Sequence, residues 1–428
     1  MNIAQRIDEA RNGFHRTFWV ANGMELFERL AYYGQATIFS VYLRDHLRFN
    51  ALDAGTISSI FGSLIYFLPI FAGTIADKIG FRRAFAIAFS VLAIGYFLIG
   101  STGIEPLSGW YAGLPLFWVL TPMVILTAMG GSFIKPSVLG TVAVTSKPAV
   151  KSFGYAIYYW LVNIGAWLGP VIAYVVRDHI GIQYVYLVSA ASCALMFCAN
   201  LFFYKEVKDE GKEVVETLGK KMLNLFVVLG NIRFMVFLLI FSLYWVMFWG
   251  GLYIIVPWFM RDFISPDAPF ELVLSVGALT IIVLQLVVNQ LTKHIPTKQA
   301  ILTGFAVSSL CWLIIALHPT TWVIVAGVAV WSIGEMTQAP RYYEYISTLA
   351  PKGQQALFQG YAFLPIAIAW LFGGICGGWL YENYARAASN PTTVWWVVFA
   401  VGVVATGLMW LYNRVVTAQE ATQAERPF

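Results

Sequence analysis

Charge is scarce in this sequence. Only 11% of its 428 residues are Asp, Glu, Lys or Arg, 59% are hydrophobic, and the mean hydropathy is +0.71. A water-soluble chain is roughly 25% charged, so a soluble fold is excluded at the outset. Alternation of apolar and polar residues is also missing, which excludes an outer-membrane barrel built of strands of about ten residues. Cysteine is rare: Cys193, Cys198, Cys311 and Cys376 sit singly in apolar runs, form no ligand pair, and read as packing residues. None of His15, His46, His179, His294 and His318 shares a helical face with another His or Cys, so no metal site is expected. No nucleophile, base and orienting group fall together in one motif, so no catalytic residue is named and an enzyme is not expected.

What the sequence has is long apolar runs, such as Ile57 to Ala76, Val185 to Phe203 and Phe234 to Met260, each closed by charges, Pro or Gly. Backbone groups cannot go unpaired in hydrocarbon, and with a barrel excluded these runs must be helices. The expected fold is all-α and polytopic, with twelve spans near 16-43, 54-77, 84-102, 114-144, 152-177, 183-204, 233-260, 271-292, 299-317, 321-348, 354-381 and 393-414. One long polar interruption, Lys205 to Lys221, follows the sixth span and divides the chain six plus six. The expected organisation is an N-terminal half over 1-204, a cytoplasmic linker over 205-232 and a C-terminal half over 233-428. No cleavable signal is expected, because the polar start is followed by an apolar run long enough to span.

The basic residues set the orientation through the positive-inside bias. With the N-terminus in the cytoplasm, 19 of the 27 Lys and Arg fall on that side, among them Arg6, Arg82, Arg83, Lys147, Lys151, Lys220, Lys221 and Lys352. Arg44, Arg48, Arg177, Arg261 and Arg386 fall on the other side, and Arg29, Lys135 and Arg341 lie within spans. Both termini are therefore expected in the cytoplasm, with the chain in the inner membrane. The net charge of +5 follows from topology and gives no reason to expect nucleic acid as a partner.

Between the second and third spans stands Gly73-Thr-Ile-Ala-Asp77-Lys78-Ile-Gly80-Phe-Arg82-Arg83. Gly73 suits close helix approach, Asp77 a basic partner or a helix terminus, Gly80 a tight turn, and Arg82 and Arg83 an anionic leaflet. This loop resembles the signature of the major facilitator superfamily, which implies a major facilitator fold of two six-helix halves around a mid-membrane cavity. The matching stretch of the second half, Asn289 to Lys298, is a degraded version.

The first span holds Glu25, Glu28 and Arg29, then Tyr32-Tyr33-Gly34. Charges at the bilayer centre cost a few kcal/mol each if they face lipid, so these must face a cavity or partners. Glu25 and Arg29 share a face, Tyr32 falls a turn further on, and Glu28 points about 60 degrees aside. The segment resembles the ExxER and YYG stretch of the proton-coupled oligopeptide transporters, a branch of the same superfamily. Lys135-Pro136 resembles that family's Lys-Pro step, Tyr159 and Asn163 its FYxxINxG stretch, Glu335 its Gly-Glu acid facing a substrate ammonium, and Tyr66 its cavity tyrosine. Arg341 and Glu344, three apart, are expected to pair with each other near the cytoplasmic end.

The resemblance implies symport of a small solute, di- or tripeptides foremost, with protons. The coupling residues would be Glu25, Glu28, Arg29, Lys135 and Glu335, and the substrate residues Tyr32, Tyr66, Lys135, Tyr159, Asn163, Trp249 and Glu335. It implies no cofactor, a proton gradient as energy source, the lipid bilayer as surroundings, and a monomer. Closure of the cavity is expected to run through Lys135 and Glu335. Two departures stand out: the arginine two residues beyond YYG is Ala36, and the acid of the seventh span is Trp249. Together they predict a hydrophobic outer gate and keep open a carrier of a sugar, drug or other metabolite. Trp245, Trp249 and Tyr253 would stack on a sugar ring or contact a peptide side chain.

Overall fold

The computed structural model of the chain describes residues 13–207, 218–350 and 355–424, so Arg6 and Lys352 lie outside the described residues. Helices dominate. Among the described residues, ten helices are long and apolar enough to cross a membrane, and the pair Ala51–Phe67 and Pro69–Ile79, bent by 47°, makes an eleventh span. The twelfth is Arg16–Val41, whose charges Glu25, Glu28 and Arg29 fall together at mid-helix. The chain is a multi-pass membrane protein. Its surface agrees: Leu286 and Trp322 are more than four-fifths exposed, which suits lipid and not water.

The chain divides into two compact units, Met1–Met222 and Leu223–Phe428. In the first, α1 is Arg16–Val41, α2 Ala51–Phe67, α3 Pro69–Ile79, α4 Phe81–Ser101, α5 Leu116–Ser132, α6 Ile134–Thr145, α7 Lys151–His179 and α8 Tyr184–Phe203. Two of these boundaries sit at prolines. Pro69 lacks the N–H that would continue α2, and the span bends there. Pro136 cannot return a hydrogen bond to the Ser132 carbonyl, and α5 gives way to α6 just after Ser132.

In the second unit, α9 is Leu218–Leu229 and α10 Ile232–Val246; the latter continues through a π-helical stretch, Met247–Ile255, and a second, Met260–Ile264. Then come α11 Phe270–Thr292, α12 Thr297–Leu317, α13 Thr321–Leu349, α14 Leu364–Tyr381 and α15 Thr393–Ala424.

Each unit crosses its first and fifth spans on glycine. In the first, a Cβ on Gly169 would stand 2.7 Å from the Leu30 carbonyl oxygen, and one on Gly165 would collide with Arg29. In the second, a Cβ on Gly250 would stand 2.8 Å from the Gly373 carbonyl oxygen. Backbones meet directly at both crossings, as small residues allow in lipid. A repeat also shows where the first span of each unit ends: Arg44-Asp45 and Arg261-Asp262 both lie in a π-helical turn, Tyr42–His46 and Met260–Ile264.

Candidate functional site

The charges of α1 are buried together. Glu25, Glu28 and Arg29 are at most 3% exposed. The Arg29 guanidinium curls back along its own helix and pairs with Glu28, while its Nε lies 3.3 Å from a Glu25 oxygen. Both carboxylates therefore hold one cation. Glu28 does not stand aside from the pair as its angle on the helical wheel suggests, because the long Arg side chain spans the offset. Glu28 neighbours Tyr96 of α4 and Cys193 of α8, and Glu25 neighbours Tyr158 of α7.

Lys135 completes the cluster from α6. It lies close enough to Glu25, Glu28 and Arg29 to feel all three charges, and its Nζ sits 4.9 Å from the centre of the Tyr66 ring. The Arg29 guanidinium lies 4.9 Å from the centre of the Tyr32 ring. Arg29, Tyr32, Tyr66, Pro69 and Lys135 line one cleft. Both proline breaks thus border it: Pro69 ends the helix that carries Tyr66, and Pro136 follows the lysine. Two acids and two bases balance here, which lets four charges be enclosed without a surplus.

Tyr159 and Asn163 stay outside this cluster. Tyr159 is half exposed, and Asn163 Nδ2 donates to the Tyr159 carbonyl of its own helix at 2.8 Å. The reason is rotational. α7 packs on α1 through Gly165 and Gly169, seven and eleven residues beyond Tyr158, so Tyr158 shares that face and Tyr159 is turned about 100 degrees away. The glycine spacing was the signal that points to Tyr158.

In the second unit Glu335 projects from α13 beside Trp331 and Tyr244. Tyr244 is stacked on Trp331 with centroids 4.7 Å apart, and its hydroxyl meets Ser308 Oγ at 3.0 Å. Phe248 joins Trp331 at 5.5 Å. Arg341 is spent on Glu344 at 2.9 Å and on the Lys293 carbonyl at 3.2 Å, as the spacing of three suggests. Among the described residues of this unit, no cation lies beside Glu335.

Trp249 is buried, stacked on Trp370 at 4.4 Å and packed on Tyr253 at 4.8 Å. Its ring fills the crossing of α10 and α14 beside Gly250, so the position that the family gives to an acid holds an aromatic core residue.

The signature loop is built around a residue that the sequence reading left in the polar linker. Glu206, just beyond α8, accepts from the backbone N–H groups of Phe81 and Arg82 at 2.9 and 2.7 Å and so caps α4. Asp77, expected to meet a basic partner or a helix terminus, is exposed in the last turn of α3, and the N-terminus of α4 is capped by Glu206. Gly80 turns at φ +87, where only glycine sits without strain, and Lys78 and Arg83 are exposed. Arg82 donates to the Leu201 carbonyl at 2.7 Å, serving the last turn of α8 rather than only a leaflet. A Cβ on Gly73 would touch Pro136 at 3.4 Å, so the loop's first glycine packs against the Lys-Pro step.

Comparison with known proteins agrees with this architecture. Dipeptide and tripeptide permease A of Pectobacterium carotovorum subsp. carotovorum (strain PC1) is 28% identical over 200 residues, 46% of this chain and 38% of that protein. Dipeptide and tripeptide permease B of Aliivibrio fischeri (strain MJ11) is 28% identical over 194 residues, 44% of this chain and 35% of that protein. The aligned region thus spans well under half the length of these curated relatives. A crystal structure of the peptide transporter POT superposes with a TM-score of 0.77 at 18% identity, covering 94% of both chains. At that identity the likeness establishes the fold. The sequence pattern of the Major Facilitator Superfamily matches residues 24–264 and 246–427, nearly the whole length, and the chain belongs to that superfamily.

Proposed function

We propose that this protein is a proton-coupled carrier of small solutes of the oligopeptide-transporter branch, with di- and tripeptides as its cargo, working by alternating access. The observation that carries this reading is the distribution of charge within the spans. Glu25, Glu28, Arg29 and Lys135 balance within one unit, whereas Glu335 has no cation beside it among the described residues of its own. A half-buried carboxylate within a span is stable when it carries a proton or meets a cation, and a peptide's ammonium is such a cation. In the first unit a proton on Glu25 or Glu28 would loosen that carboxylate's hold on Arg29 and leave Lys135 with more positive surroundings. Binding and protonation then act on the same charges. No cofactor enters this scheme, since the proton gradient supplies the energy. The protein works as a monomer in the inner membrane with both termini in the cytoplasm.

The permease names of the sequence relatives support the peptide reading. Ala36 favours a second one, a cargo that lacks a carboxylate, because the arginine that would hold it is replaced by an apolar residue buried in its own unit. A solved nucleoside transporter of the same fold superposes with a TM-score of 0.75 at 15% identity, covering 92% of this chain and 99% of that chain.

The test is uptake into proteoliposomes with the acid side outside. Wild type should accumulate labelled dipeptide, and Glu25→Gln or Glu28→Gln should abolish gradient-driven accumulation while leaving exchange across equal pH. Concentrative accumulation by wild type without a gradient would refute proton coupling. Competition by nucleosides or sugars but not by dipeptides would move the assignment to the second reading.

A further inference from the structure

At one end of the second unit, α12, α13 and α15 leave an open crevice of about 1190 Å³. This is the end that carries Lys293, Lys298 and Arg414, the cytoplasmic end under the orientation proposed above. Two cations from different helices, Lys298 and Arg414, line the crevice, and no described acidic residue does. The nearby Glu344 is already engaged by Arg341 and by the Thr297 hydroxyl, each at 2.9 Å. Arg414 is held in place: its guanidinium lies 4.3 Å from the centre of the Trp410 ring. Asn413 donates to the Lys298 carbonyl at 3.0 Å, and Lys298 Nζ lies 3.5 Å from the Thr417 hydroxyl, which ties α12 to α15.

Away from this polar mouth, the face of α15 that bears Arg414 continues as Trp410, Gly407 and Val403, at helical spacings of four, three and four. Trp410 is half exposed, as an interfacial tryptophan would be. A Cβ on Gly407 would meet nothing within 4 Å, so the helix surface there is open, and Val403 beyond it is half exposed. Cations, then an indole, then an open aliphatic helix face follow the order of charge and polarity along one phospholipid. A soluble anion would use only the mouth.

We propose that this crevice binds one anionic phospholipid, its phosphodiester between Lys298 and Arg414 and one acyl chain along Trp410, Gly407 and Val403. Basic clefts between helices on the cytoplasmic side attract such headgroups, and each cation there strengthens binding several-fold.

Native mass spectrometry of the delipidated full chain, titrated with dioleoylphosphatidylglycerol or dioleoylphosphatidylcholine, tests it. Wild type should retain one phosphatidylglycerol with about tenfold preference, and Lys298→Gln with Arg414→Gln should remove that preference. Lys298→Arg with Arg414→Lys should keep it, which separates loss of charge from loss of fold. Lys147→Gln with Lys151→Gln, an equal change of charge elsewhere, should bind as wild type; equal weakening there would reduce the effect to general surface attraction and overturn the site. Gly407→Leu should place a bulky side chain on the open face and lower lipid retention. Full competition by glycerol phosphate, with Gly407→Leu silent, would show a site for free anions and overturn the lipid assignment.

Discussion

Glu206→Ala removes the acceptor for two backbone N–H groups at the start of α4. Loss of such a cap costs about 1 kcal/mol, and here it also releases the contact that holds the Gly80 turn. The unfolding midpoint of the purified protein should fall, and Glu206→Asp should recover part of the loss; an unchanged midpoint for Glu206→Ala would show that the cap carries no stability. Nothing in the sequence marks Glu206 for this duty, since it is one charge among many after the sixth span. Its partner lies 125 positions away. Tyr158 was closer to legible. Tyr158 and Tyr159 are adjacent and chemically alike, and only the register of Gly165 and Gly169 decides which of them faces α1. Charge was more readable than hydrogen bonding: Glu25, Glu28, Arg29 and Lys135 stand out because an apolar span cannot leave them in lipid. That constraint holds whatever the fold.

At the scale of the helix, the apolar runs specify where spans lie, because length and composition alone decide which segments suit the bilayer. They do not specify how spans pack. The crossings of α1 with α7 and of α10 with α14 depend on which glycine meets which backbone, and the π-helical stretch Met247–Ile255 leaves no mark in hydropathy. This separation gives a contrast between glycines. Gly169→Ala and Gly250→Ala each press a methyl group to within 3 Å of a carbonyl oxygen and should cost about 1–3 kcal/mol. Gly23→Ala, in the same helix as the charge cluster but with nothing within 4 Å of its Cβ, should be neutral or gain up to about 1 kcal/mol in helix propensity. Thermal denaturation in detergent reads all three. If Gly23→Ala proved as damaging as the other two, close helix approach would not be the reason for the glycines.

At the scale of the whole molecule, direction across the membrane is set by the uneven distribution of Lys and Arg rather than by any fold contact. Loops that end or begin with Lys147, Lys151, Lys220, Lys293 and Lys298 alternate along the chain with loops near Ser108, Arg177 and Arg386. That alternation requires an odd number of crossings between members of the two sets, and the helices supply it: α5 with α6 is one crossing from Ser108 to Lys147, and α7 is one from Lys151 to Arg177. With the native cysteines replaced by serine, Ser108→Cys should react with an impermeant maleimide added to whole spheroplasts. Lys220→Cys should react only after the membrane is opened. The reverse pattern would invert the chain, turn the proposed proton entry into an exit, and move the Lys298–Arg414 crevice to the leaflet facing outward, where a cytoplasmic pool of anionic lipid could not fill it.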